Sequence, residues 1–138
     1  EKMNKNKLIT ISGKRKTSIA KARIIEGNGN ITINNIPHTL LSYIHKLLIE
    51  EPFMISKKYL KDFKFDIIIK VSGGGRESQI EAARLVIAKA LVSLTKSPLL
   101  KKELEQYDRH LLVADVRRKE ACKPGDSKAR AKRQTSYR

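Results

Sequence analysis

The last 22 residues, Arg117 to Arg138, read RRKEACKPGDSKARAKRQTSYR and contain no Leu, Ile, Val, Phe or Met. A stretch without core-forming side chains cannot bury enough apolar surface to offset the entropy of ordering it. Whatever folds here must fold upstream. Nine residues of the stretch are basic (Arg117, Arg118, Lys119, Lys123, Lys128, Arg130, Lys132, Arg133 and Arg138) against Glu120 and Asp126, a net +7 of the chain's +16. A free chain of like charges stays open, and a dense polyanion would order it. Nucleic acid fits best, because each neutralised phosphate releases condensed counterions.

Residues 8–116 suit one domain with one core. A hydrophobic content of 40% is adequate for it. Residues 1–7 are polar and basic and are expected to be a loose end. The opening on Glu1 suggests that a short native N-terminus is missing or was processed. No apolar run approaches 18 residues and no basic-then-apolar leader is seen, so neither a membrane span nor secretion is expected. The single Cys122 predicts a free thiol in a reducing compartment. Trp is absent and aromatics make up 5%, which argues against base stacking as the main binding device.

Leu8 to Ser12 predicts a short strand, followed by a sharp basic turn at Gly13-Lys14-Arg15-Lys16-Thr17. Ser18 to Glu26 alternates, with Ala22 and Ile24 facing one way and Lys21, Arg23 and Ile25 the other, as in a half-buried strand. Gly27-Asn28-Gly29 tolerates positive φ, and Ile31, Ile33 and Ile36 resume the alternation, which predicts a β-hairpin. His38 to Ile49 carries Leu40, Leu41, Ile44, Leu47 and Leu48 at helical spacing, with Glu51-Pro52 expected to end the helix. Residues 56–63 predict a short second helix with Tyr59, Leu60 and Phe63 inward. Phe65 to Val71 is a nearly continuous β-branched run and predicts a central strand. From Arg76 to Thr95, Ile80, Ala83, Ile87, Leu91 and Leu94 recur at helical spacing. Ser97-Pro98 restarts a helix to about Gln106, and Leu111 to Val113 predicts a short strand or extended piece. The order β-β-β-α-α-β-α-α-β, partly segregated, predicts an α+β domain with helices packed on one face of a sheet.

Ser72-Gly73-Gly74-Gly75-Arg76 lies between a strand and a long helix. Taken alone it is a flexible turn, for it lacks the Lys-Ser/Thr pair of a P-loop. On a chain this basic it reads as a phosphate-approach loop for an RNA backbone, with Gly73, Gly74 and Gly75 letting N–H groups come close and Arg76 adding charge. Lys14, Arg15 and Lys16 add a same-sign footprint. Arg84 follows the loop by two turns, and either joins Arg76 or pairs with Glu77 or Glu81 at helical neighbour spacing. His38, His45 and His110 lack the further ligands a zinc site needs, and no nucleophile has a catalytic context. Neither cofactor nor metal is expected.

Several stretches together resemble one family: GKRKTSIAKA (13–22), GNGNITINNIP (27–37), SGGGRESQIEAARLVIAKAL (72–91), QYDRHLLVADVRRKEACKPG (106–125) and ARAKRQTSYR (129–138). They are similar to the universal small-subunit ribosomal protein family nine (S-nine), and closer to its archaeal and eukaryotic-cytosolic branch. The resemblance implies a fold like the second domain of the ribosomal S-five family: a four-stranded sheet, helices on one side and a left-handed βαβ crossover. It implies a place in the head of the small subunit, with ribosomal RNA and neighbouring ribosomal proteins of the head as partners. It also implies a C-terminal tail that threads toward the peptidyl-site tRNA, with Tyr137 and Arg138 at its tip. Arg109, in the matched 106–125 segment, joins the expected RNA contacts. Thr135 stands where the branch usually has Lys, removing one tip charge. Val116 stands where Pro is usual, so a less rigid exit from the domain is expected. Two rival readings are a non-ribosomal nucleic-acid-binding protein and a phosphate-binding enzyme of the same fold superfamily.

Overall fold

In the computed structural model, which describes residues 9–60 and 64–137, strand β1 (Ile9–Arg15) pairs antiparallel with β2 (Ser18–Glu26), from Ile9↔Ile24 to Arg15↔Ser18. The first strand thus runs past the expected stop at Ser12. The turn shrinks to Lys16-Thr17, with Lys16 in the left-handed region at φ 52. Because β1 continues, alternation separates the turn's predicted cations: Lys14 and Arg15 point to opposite faces of the sheet.

The hairpin expected across Gly27–Gly29 does not form. Strand β3 (Ile31–Ile33) lies parallel to β5 (Phe65–Ser72) and does not pair with β2; β5 fills the position between them. The apolar run Ile67–Val71 gains most from a central place, whereas three-residue β3 has little ladder to offer. The loop from β2 crosses the start of β5 instead. Asp66 Oδ1 accepts N–H groups from Asn28 at 2.9 Å and Asn30 at 2.8 Å. β4 (Ile36–Pro37) turns back on β3 through Asn34-Asn35, whose φ values of 48 and 67 are those of a type I′ turn. The sheet order is β1-β2-β5-β3-β4, five strands where the resemblance implied four, the extra one being two-residue β4.

A single 3-10 turn at His38–Leu40 precedes helix α1 (Tyr43–Ser56). The helix does not stop at Pro52, which is buried inside it. Ile49, Pro52, Phe53 and Ser56 continue the inward face at i, i+3, i+4 and i+7, and that burial outweighs one lost backbone bond. Ser56 Oγ donates to Pro52 O at 2.7 Å. Of the expected helix 56–63, residues 57–59 form a turn, while 61–63, with Leu8, the loose end 1–7 and Arg138, lie outside the described residues.

Helix α2 (Arg76–Thr95) and helix α3 (Pro98–Tyr107) follow as expected, and Ser97 caps α3 through its side chain. Residues 109–111 form a 3-10 turn rather than a strand; Asp108 accepts the His110 N–H and starts it. Ala20, Ala22, Ile24, Ile31, Ile33, Ile67, Ile69 and Val71 bury one face of the sheet against α2, with Ile49 of α1. Gly13 belongs to this packing: a Cβ there would sit 2.7 Å from Val86 Cγ2. On the far side of α2, Ala88 packs with Leu100, Leu104 and Leu111. Among the described residues no helix covers the opposite face of the sheet, so Ile19 and Ile25 stay exposed. Past residue 113 the described chain has neither helix nor strand.

Candidate nucleic-acid interface

The fold gathers the basic turn, the glycine loop and the root of the tail at one end of the sheet. Ser18, buried at the start of β2, donates through Oγ to Gly73 O at 2.9 Å and meets Ser78 Oγ at 2.8 Å. Gly73 and Gly74 have φ 76 and 66. A Cβ on Gly73 would lie 2.6 Å from Thr17 O, and one on Gly74 would run into Ser18 Oγ. These two glycines are therefore explained by close approach to the β1–β2 turn. Gly75 meets nothing, and its N–H goes to Ser78 Oγ at 3.1 Å. Arg76 opens α2 exposed to solvent.

The predicted cations divide into two groups. Arg15, on the inner side of β1, is held by Glu81 of α2 and by Asp115, which raises its pKa. Arg84 is one-sixth exposed. Its guanidinium lies between Glu51 of α1, 2.5 Å from Nη2, and Asp108, 3.0 Å from Nη1; Glu51 also accepts from the Tyr107 hydroxyl. Neither of the partners expected for Arg84 is used: Glu77 faces His45 at 2.9 Å and Glu81 holds Arg15. Arg84 thus ties three helices together and is not presented to solvent with Arg76. Lys14, Lys16, Arg76 and Arg109 are exposed, and none makes an ion pair or side-chain hydrogen bond among the described residues.

Asp115 forms the root of the tail. It is almost fully buried and accepts from Arg117 through both the backbone N–H, 2.9 Å, and the guanidinium, 2.7 Å, while Arg15 reaches it from β1. Arg117's side-chain and backbone donors, with Arg15, hold the Asp115 carboxyl far below the usual carboxylate range. A depressed folded value means the tie is fully present above the ordinary carboxylate pKa and is lost only as pH falls well below it. An NMR titration of the Asp115 carboxyl should show no protonation near pH of about 3.9; a midpoint there would mean that the tie is absent in solution.

Beyond the root, Arg118 Nη1 donates to the carbonyls of Asp115 and Arg117. The tail bends at Pro124-Gly125, and Arg130 reaches back to Glu120 at 3.0 Å. Both tail acids are engaged within the tail, since Asp126 accepts the Arg133 N–H at 3.2 Å. Lys119, Lys123, Lys128, Lys132, Arg133 and Tyr137 are exposed, as is Cys122.

The sequence reading named neither Asp115 nor a second set of cations, Lys21, Arg23 and Lys70, as part of a site. β2 and β5 place these three together on the open sheet face, with Lys21 directly opposite Lys70. Only strand register reveals that pair.

The geometry supplies exposed cations along an end of the sheet and a basic tail without helix or strand, and the chain's relatives say in what kind of protein. A family model described as Ribosomal protein S9/S16 matches residues 13–138. The chain belongs to that family. It is 44% identical over 136 residues to the Small ribosomal subunit protein uS9 of Methanococcus maripaludis, covering 96% of this chain and 99% of the relative. It is 42% identical over 136 residues to the protein of the same name from Desulfurococcus amylolyticus, covering 98% and 96%. Proteins of the S9/S16 family are structural components, not enzymes. The match begins at Gly13, where β1 passes under α2, and runs through the tail, so it takes in body and tail alike. No helix among the described residues is long and apolar enough to cross a membrane.

Proposed function

We propose that this protein binds small-subunit ribosomal RNA in the head of the subunit, at the ribosome in the cytoplasm, and sends its tail toward the tRNA in the peptidyl site. One observation carries the reading: a tail of exposed Lys and Arg side chains, without helix or strand, leaves the domain from a fixed root at Asp115. Lys14, Lys16, Arg76, Arg109, Arg118, Lys119, Lys123, Lys128, Arg130, Lys132 and Arg133 contact phosphates in this reading, while Arg15, Arg84 and Arg117 hold the scaffold that presents them. Gly75 and the start of α2 face the RNA backbone. In this reading the connection from β3 through α1 to its parallel neighbour β5 is the left-handed crossover that the family resemblance implies. Neighbouring proteins of the head complete the surroundings.

Co-sedimentation with small subunits tests the reading. Full-length protein should enter the subunit. A version lacking residues 118–138 should unfold at nearly the same temperature, because Arg117 and every core residue remain, yet be retained poorly. Equal retention of the two would remove the tail from RNA binding. The tip is a smaller matter: removing Tyr137 and Arg138 eliminates one charged contact, and should loosen initiator tRNA by about 1–3 kcal/mol at most while subunit yield holds. Unchanged tRNA dissociation would remove the decoding-site role, and a collapse in yield would make the tip an assembly element.

A further inference from the structure

Around the helices five cations have a carboxylate: Arg15 with Glu81 and Asp115, Arg84 with Glu51 and Asp108, Lys46 with Glu50, Lys58 with Glu103, Lys101 with Glu105. Lys57, Arg76, Lys89, Lys96 and Lys102 have none among the described residues. The helix-free face of the sheet holds a further group of unpaired cations, set close together by strand pairing. Register places Ser12, Lys21 and Lys70 in one row across β1, β2 and β5, with Thr10, Arg23 and Ile68 in the next and Lys14, Ile19 and Ser72 in the one before. Lys14, Lys21, Arg23 and Lys70 are all exposed, and no ion pair or hydrogen bond is made by any of their side chains among the described residues. The acid on this face, Asp66, has one carboxylate oxygen occupied by the N–H groups of Asn28 and Asn30. Like charges directly opposite on neighbouring strands repel, so the Lys21–Lys70 pair is unfavourable in the free domain and awaits an anion between its ends.

We propose that this open sheet face is an RNA-backbone docking surface, centred on Lys21 and Lys70 and flanked by Arg23 and Lys14. The occupant's chemistry follows from the lining. A shallow groove runs between Ile19, Lys21, Asn34, Asn35, Lys70 and Ser72, offering ammonium groups, the Asn35 amide and the Ser72 hydroxyl to phosphate oxygens, while the Asn34 amide is held by the Val71 backbone. The registered rows contain no aromatic side chain on which a base might stack, so the face takes phosphates and is indifferent to base identity. Lys21 and Arg23, two residues apart on one face, lie about 6.7 Å apart along the strand, a separation that engages successive phosphates rather than one. The face is also continuous with the surface already assigned to RNA: Lys14 leads into the basic turn, and Ser72 into the glycine loop. It rests on the reading of this protein as an RNA-bound subunit component, but adds a site distinct from the tail.

The test uses the full chain and small-subunit RNA transcribed from Methanococcus maripaludis. Log affinity is followed against log salt for the parent protein, for the double variant Lys21→Gln/Lys70→Gln, and for the control Lys96→Gln/Lys102→Gln, which removes equal charge elsewhere. Two lost phosphate contacts should flatten the slope by about 1.4–1.8, with the control close to the parent. Thermal unfolding of Lys21→Gln/Lys70→Gln should be unchanged or slightly raised, since a repulsion is removed. In parallel, acetylation of the unsubstituted protein, read by mass spectrometry, should show Lys21 and Lys70 shielded by the RNA while Lys102 stays reactive. A slope equal to the control's, with Lys21 still reactive on RNA, overturns the proposal. Shielding of Lys21 only in assembled subunits, without any change in slope, would assign the face to an acidic protein and equally overturn it. Should the parent itself fail to bind, the broader reading fails first, and that result is separate from a parent that binds with an indifferent sheet face.

Discussion

Between roughly 50 and 200 mM salt, the full-length protein is expected to lose about three to five powers of ten in affinity for small-subunit RNA, the range for six to ten neutralised phosphates. The tail alone offers Arg118, Lys119, Lys123, Lys128, Lys132 and Arg133 exposed, and Lys14, Lys16 and Arg76 extend the set on the body. Arg15 and Arg84 do not count toward it, because carboxylates already neutralise them within the domain. The same titration on protein cut after Arg117 should give a much shallower slope, with what remains belonging to the body. A nearly flat response of the full-length chain would mean that shape and apolar contacts hold the RNA, and would contradict the phosphate-neutralising mechanism.

Replacing Arg84 by Ala is expected to destabilise the domain by about 2–3 kcal/mol, below the range for wholly buried pairs because the side chain retains some exposure. The loss arises at the meeting of three helices. Without the guanidinium, Glu51 of α1 and Asp108 after α3 are left as neighbouring, partly buried carboxylates, with only the Tyr107 hydroxyl and the His110 N–H to satisfy them among the described residues. Denaturant melts of Arg84→Ala and Arg84→Met should show the shift, the Met variant retaining more because its chain fills the same space. The slope of RNA affinity against salt should not move in either. A flattened slope with stability intact would return Arg84 to the RNA-contacting set.

Long periodic segments were legible from the chain itself. β2, β5, α2 and α3 announced themselves because eight or more residues repeat one pattern. Where the outcome depended on partners distant in sequence, local pattern misled. Pro52 looked like a helix end, yet Phe53 and Ser56 continue the buried stripe beyond it. Gly27–Gly29 looked like a hairpin turn, yet Ile67–Val71, nearly forty residues on, competes more strongly for the place beside β2. Asn34-Asn35 was the overlooked signal: two residues tolerant of positive φ between Ile33 and Ile36 mark the tight turn that does form. The site shows the same division. The tail was readable because composition alone determines it. Arg15 and Arg84 were counted as RNA contacts because charge in a sequence does not reveal the acids that fold onto it, here Asp115 and Asp108. Lys21 and Lys70 stand 49 positions apart, and nothing short of strand register makes them neighbours.

The tie at Asp115 also has a kinetic meaning. On the proposed RNA-bound reading, with Arg117 fastened to the body through Asp115 and Arg15, the 21 residues that follow start their search for an RNA crevice from one point. Once the sheet and glycine loop have landed, finding that crevice is an intramolecular event, governed by an effective concentration on the order of millimolar for a short flexible connection. Loosening the root would dilute the tail over a larger volume and delay its threading without removing a single phosphate contact, so that Asp115→Ala should slow the late step of subunit maturation more than it weakens the finished complex.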